Sequence, residues 1–139
     1  MTDTEAYAVA ESDNLDLVAS GNRFITEFEN LPDVKRFPSG IYLLHRVYVK
    51  LAVNNGIELV SLNAIRRGGG FCSWCLDEIE IIADRTGTRL SLQVLPFDEG
   101  PMNADQLEQF YRKHGFVHWV RYGVEGFWML RLPCRERKS

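Results

Sequence analysis

Arg66-Arg67-Gly68-Gly69-Gly70-Phe71-Cys72-Ser73 joins a strand-like run to the start of an amphipathic helix. Its position makes it informative. Glycine lets consecutive backbone N–H groups converge with no Cβ in the way, and the first-turn amides of a helix have no intrahelical acceptor. Together with the positive end of the helix dipole, they form a cradle for phosphate oxygens. Either arginine can add a charged fork to the same anion, and Ser73 can add a hydroxyl. A flexible glycine turn with solvated arginines has the same composition, so the flanking residues must decide. The glycines do not have Gly-x-Gly-x-x-Gly spacing and no Lys-Ser or Lys-Thr pair follows them, which sets aside the dinucleotide and P-loop readings.

Downstream, Cys72, Cys75, Leu76, Ile79, Ile82 and Ala83 mark one face of a helix. Ser73, Asp77, Glu78, Glu80 and Asp84 fall mostly on the other, solvent-facing side, and Gly87 supplies a left-handed stop. Leu90, Leu92 and Val94 then alternate as in a half-buried strand. Upstream, the run Ile57–Ile65 reads as a strand, so strand, helix and strand form a βαβ crossover with two parallel strands. Ile41–Val53 is rich in β-branched and aromatic residues and fits strand or helix. The Asn54-Asn55-Gly56 turn favours strand, giving an antiparallel pair with the run after it. Leu17, Val18, Phe24, Ile25 and Phe28 recur at helical spacing before Pro32 and Pro38. Asn103 and Gln106 have capping-box spacing at the start of another helix, and Gly115 ends it. Two final strands, Phe116–Tyr122 and Phe127–Leu132, flank Gly123–Gly126 as a hairpin. The expected class is α/β in the broad sense (α+β), with a mixed sheet.

The run from Ile57 to Leu132 resembles the C-terminal two-thirds of the GNAT superfamily of N-acetyltransferases. In that family an Arg/Gln-x-x-Gly-x-Gly/Ala turn receives the pyrophosphate of coenzyme A. Arg67 matches the first position, Gly70 the middle glycine and Cys72 the last small residue, with Ser73 directly after it. LEQFYRKHGF resembles the segment in which a family helix ends in a tyrosine, a basic pair and Gly-Phe. Cys72 stands where the family has glycine or alanine, Ala104 where many members have asparagine, and residues 1–40 do not match.

The resemblance implies one domain over residues 1–139, with residues 57–132 as a coenzyme A-binding core. It implies a mostly antiparallel sheet whose central parallel pair splays apart beside a bulge, with flanking helices. Acetyl-CoA would be held by Arg67, Gly68, Gly69, Gly70, Phe71, Cys72 and Ser73, and by backbone groups near Leu62, Asn63 and Ala64. An amine acceptor would attack the thioester directly. Tyr111 would protonate the departing thiolate. Glu58 resembles the strand carboxylate that serves some members as a base through water, and Asp98 and Glu99 could draw a cationic amine to the cleft. The alternative is an inactive GNAT-like module that binds coenzyme A or inhibits a protein partner without turnover.

Composition bounds the rest. The length of 139 residues with 45% hydrophobic content suits one domain. A net charge of -3 with no block of like charges gives no nucleic-acid or membrane footprint. No signal-peptide pattern or membrane-length apolar run is present, and a cytoplasmic location is expected. Three cysteines suit reduced thiols. Cys72 and Cys75 have dithiol spacing, but no second pair or histidine pair completes a metal site, so no metal is expected. Cys72, at a helix N-terminus near arginines, is expected to favour thiolate. Self-association as a homodimer stays open, and the identity of the acceptor amine is not encoded legibly.

Overall fold

The computed structural model describes residues 17–65, 70–94, 103–120 and 126–134. Over these, three helices accompany a seven-stranded, mostly antiparallel sheet with one parallel pair, which is the α+β class expected. Helix α1 spans Leu17–Glu29 and strand β1 Lys35–Arg36; β2 is Ile41–Leu44, β3 Val47–Val53 and β4 Ile57–Ala64. Helix α2 covers Phe71–Thr86, β5 Leu90–Gln93, α3 Ala104–Lys113, β6 Val117–Trp119 and β7 Trp128–Arg131. The sheet order is β1-β2-β3-β4-β5-β7-β6, with β4 and β5 the parallel neighbours. No described helix is long and apolar enough to cross a membrane.

Ile41–Val53 is not one strand but a hairpin. His45 and Arg46, at φ 51° and 63°, turn the chain between β2 and β3. Histidine tolerates positive φ better than most residues but arginine does not, and neither is as strong a turn signal as glycine, so the alternation alone reads as continuous.

Helix α2 buries Cys75, Leu76, Ile79, Ile82 and Ala83, as its periodicity predicts, and Gly87 caps it at φ 69° with its N–H on the Ala83 carbonyl. Phe24 and Phe28 of α1, one turn apart, pack into the same core with their rings stacked. The two helices contact each other and β3, so they share one face of the sheet.

Helix α1, the β3–β4 turn and the segment before β5 are locked together at Gly56. A Cβ there would lie 2.6 Å from the Arg89 carbonyl oxygen, and a Cβ on Gly21 of α1 would lie 2.7 Å from the Gly56 oxygen. Gly56 also has φ +107°, which disfavours any side chain. Gly56→Ala is therefore expected to cost about 2–4 kcal/mol from overpacking and backbone strain, read as a lower urea midpoint. A loss under about 0.5 kcal/mol would show that the turn relaxes freely.

Candidate functional site

The β3–β4 ladder shifts register at Lys50/Leu51: Lys50 faces Ser61 and Leu51 faces Leu59, which leaves Val60 as an extra residue on β4. One inserted residue flips side-chain parity. Ile57 and Leu59 point into the core before the bulge, whereas Leu62 and Ala64 do so after it. The bulge coincides with the end of parallel pairing. Strands β4 and β5 pair at Ile57–Leu90, Glu58–Ser91 and Leu59–Leu92, and β4 then runs on to Ala64 while β5 ends at Gln93. Beyond Leu59, the edge of β4 that faced β5 has no strand partner among the described residues. Asn63 is exposed there and Leu62 and Ala64 are half-buried.

The open end of this pair leads to the N-terminus of α2. Gly70 is the N-cap, at φ 75° and ψ 17°, and no side chain among the described residues caps the helix. The Trp74 N–H makes a helical bond to the Gly70 carbonyl at 3.0 Å, so the amides of Phe71, Cys72 and Ser73 lie ahead of the helical ladder. No acidic side chain occupies the first turn. The dipole end is therefore not neutralised from within α2. Arg66, Arg67, Gly68 and Gly69 lie outside the described residues, as do Asp98 and Glu99.

Helix α3 is capped as its spacing predicts, by reciprocal bonds between Asn103 and Gln106. Its last turn brings Tyr111 into the cluster that holds Phe71 and Cys72. The Tyr111 ring meets Phe116 edge-on at 5.8 Å. Burial, with a smaller contribution from the nearby Cys72 sulfur, pushes its phenol up to about 12. The hydroxyl therefore keeps its proton throughout the neutral range. Glu58 lies in the paired part of β4, opposite Ala52 and Ser91, and the Asn54 amide donates to its carboxylate at 3.2 Å. This ties Glu58 to the β3–β4 turn.

Cys72 corrects one expectation. Burial raises its thiol above the usual range, and a backbone hydrogen bond from Ala64 only partly offsets this, so the helix dipole does not make it a favoured thiolate. Cys75 is fully buried and pushed up to about 12, mainly by burial. Alkylation followed by peptide mass spectrometry should label exposed Cys134 first, half-buried Cys72 more slowly, and Cys75 only on unfolding. Labelling of Cys75 at the rate of Cys72 in folded protein would contradict this packing.

The largest departure from the sequence reading lies on the supposed solvent face of α2. Glu80 is buried, at 6% exposure. Its Oε2 lies 2.6 Å from His114 Nδ1, and His114 Nε2 lies 3.0 Å from Ser73 Oγ. Its Oε1 lies 3.2 Å from Arg131 Nε, and Arg131 makes a two-pronged bond to Asp84 at 2.9 and 3.1 Å. Asp77 also approaches His114 Nδ1, at 3.4 Å. Ligand atoms of Asp77, Glu80 and His114 lie within 4.8 Å of one another, but Arg131 already supplies the charge that a cation would bring to Glu80. The signal available in the sequence was the i, i+4, i+7, i+11 spacing of Ser73, Asp77, Glu80 and Asp84, a single stripe along the helix.

No protein family's sequence model matches the chain, and no curated protein matches it. The crystal structure of anti-CRISPR protein AcrVA5 aligns with a TM-score of 0.48 and 19% identity, covering 68% of this chain and 92% of that one. Likeness at this level carries no inference about function.

Proposed function

We propose that this protein is an acetyl-CoA-dependent N-acetyltransferase. The observation that carries the reading is the parting of β4 from β5 just past the bulge at Val60, at the strand end that leads to the open N-terminus of α2. The pyrophosphate would sit on the turn from Arg67 to Ser73, held by the first-turn amides and the dipole. The pantetheine arm would run along the strand-free edge of β4 at Leu62, Asn63 and Ala64, adding hydrogen bonds as a missing strand would, with the Ala64 N–H already directed at the Cys72 sulfur. The resemblance of the turn and of the Tyr111 segment to the GNAT pattern supports the same assignment.

In the reaction, a neutral amine attacks the thioester carbonyl, the C–N bond forms, the C–S bond breaks to release the thiolate, and the proton lost from the amine nitrogen passes to water. Tyr111, whose phenol feels the Cys72 sulfur, is the residue we assign to this chemistry. Its proton is held to about 12, whereas an ordinary thiol ionises at about 8.5, so full proton transfer from the phenol is uphill. Tyr111 would act chiefly as a hydrogen-bond donor to the developing charge. Glu58 would have to act through water, from its place beside Asn54.

The test is calorimetric binding of acetyl-CoA, followed by thiol release across a panel of amines. Tyr111→Phe keeps the ring and should lower turnover about tenfold to a hundredfold at saturating acetyl-CoA, with binding unchanged. Equal turnover would remove Tyr111 from the mechanism. Binding without turnover on any amine would replace the enzyme with the inactive coenzyme A-binding module, and no binding would end both readings.

A further inference from the structure

We infer that Ser73, His114 and Glu80 form a nucleophilic relay, and that this chain hydrolyses small activated acyl esters through an acyl-Ser73 intermediate. An activated serine needs a base within hydrogen-bond reach and a third group that orients the base. Both contacts are present: 3.0 Å from Ser73 Oγ to His114 Nε2, and 2.6 Å from His114 Nδ1 to Glu80 Oε2. Two carboxylates, Glu80 and Asp77, face Nδ1. Neither can donate when ionised, so in the neutral imidazole the hydrogen sits on Nδ1 and Nε2 offers its lone pair to the Ser73 O–H. That is the tautomer a general base requires.

The supporting contacts are equally specific. Glu80 cannot swing away, because its other oxygen is held by Arg131, which is itself fixed by both oxygens of Asp84. The side chains of His114, Glu80, Arg131 and Asp84 are all less than 10% exposed, whereas Ser73 is half-buried. Ser73 also lies in the first turn of α2, where leftover amides and the dipole favour developing negative charge.

The step balances as follows. Ser73 Oγ bonds to the acyl carbon as its proton passes to His114 Nε2. The bond from the acyl carbon to the leaving oxygen then breaks, and the leaving group takes that proton. Water next attacks acyl-Ser73 with His114 again as base, releasing the acid and restoring the hydroxyl. Glu80 is a positioning residue throughout, stabilising the transient imidazolium.

The experiment uses p-nitrophenyl acetate and a fluorophosphonate probe, with no coenzyme A present, so that its outcome is separate from that of the acetyl-CoA reading. The unmodified protein should gain one phosphonyl group, mapped by peptide mass spectrometry to Ser73. Ser73→Ala should lose the adduct and lower ester turnover at least about a hundredfold, and Glu80→Gln should lower kcat by about a hundredfold or more with KM within about twofold. An unlabelled Ser73 in folded protein would overturn the relay, whatever other residue reacts. So would full turnover in Ser73→Ala, or labelling of Ser73 at an unchanged rate in Glu80→Gln.

Discussion

Arg131→Met is expected to destabilise the fold by about 3–5 kcal/mol, the range for removing one partner of a buried ion pair. Arg131 leaves β7 opposite Leu90 and meets two carboxylates, Glu80 at 3.2 Å and Asp84 at 2.9 and 3.1 Å. All three side chains are at most 8% exposed. Methionine fills similar apolar volume, so packing changes little and the loss reports the two carboxylates left without their cation. Asp84 also accepts the Cys134 N–H at 2.9 Å, so the segment after β7 should loosen with it. The control is Arg112→Met, which removes a half-exposed pair with Glu108 one helical turn away and should cost under about 1 kcal/mol. Urea unfolding checks both, with an unchanged slope for each variant. A loss below about 1 kcal/mol at Arg131 would mean that water or a rearranged partner reaches Glu80 and Asp84.

The elements that could be read from sequence are those whose signal is local. Helix α2 was legible because its apolar period and Gly87 both lie within one segment, and the Asn103–Gln106 cap because both partners are three residues apart. Features that depend on pairing were not. The hairpin break at His45–Arg46 uses no glycine, asparagine or proline to announce it, and the bulge at Val60 is a relation between two strands that neither shows alone. Glu80 misled for a related reason: a charged residue opposite an apolar stripe normally meets water, and only the fold brings His114, 34 residues away, and Arg131 to it. At the site, the glycine turn up to Gly69 lies outside the described residues, and Phe71, Cys72 and Tyr111 all pack against the main core. Glu58 was chosen by its strand alone, and its tie to Asn54 depends on the turn.

Gly70→Asp is expected to weaken acetyl-CoA binding by at least about a hundredfold while leaving the fold intact. A Cβ on Gly70 meets nothing within 4 Å, so no clash with the protein arises, and aspartate is among the residues that tolerate its φ of +75°. What changes is charge at the mouth of the proposed phosphate cradle. At about 5 Å and an effective dielectric near 20, one added negative charge opposes each phosphate charge by about 3 kcal/mol, which alone exceeds a hundredfold in affinity. Gly70→Asn separates this from shape, because it has nearly the same volume and the same tolerance of a left-handed backbone but no charge; it should lose less than about tenfold. The gap between the two variants should narrow as salt rises, since Gly70 is exposed and an exposed charge is screened. Calorimetry with acetyl-CoA at two ionic strengths reads all of this. Equal affinity in Gly70→Asp and the unmodified protein would remove the pyrophosphate from the α2 N-terminus, and an equal loss in Asp and Asn would assign the effect to backbone geometry instead of charge.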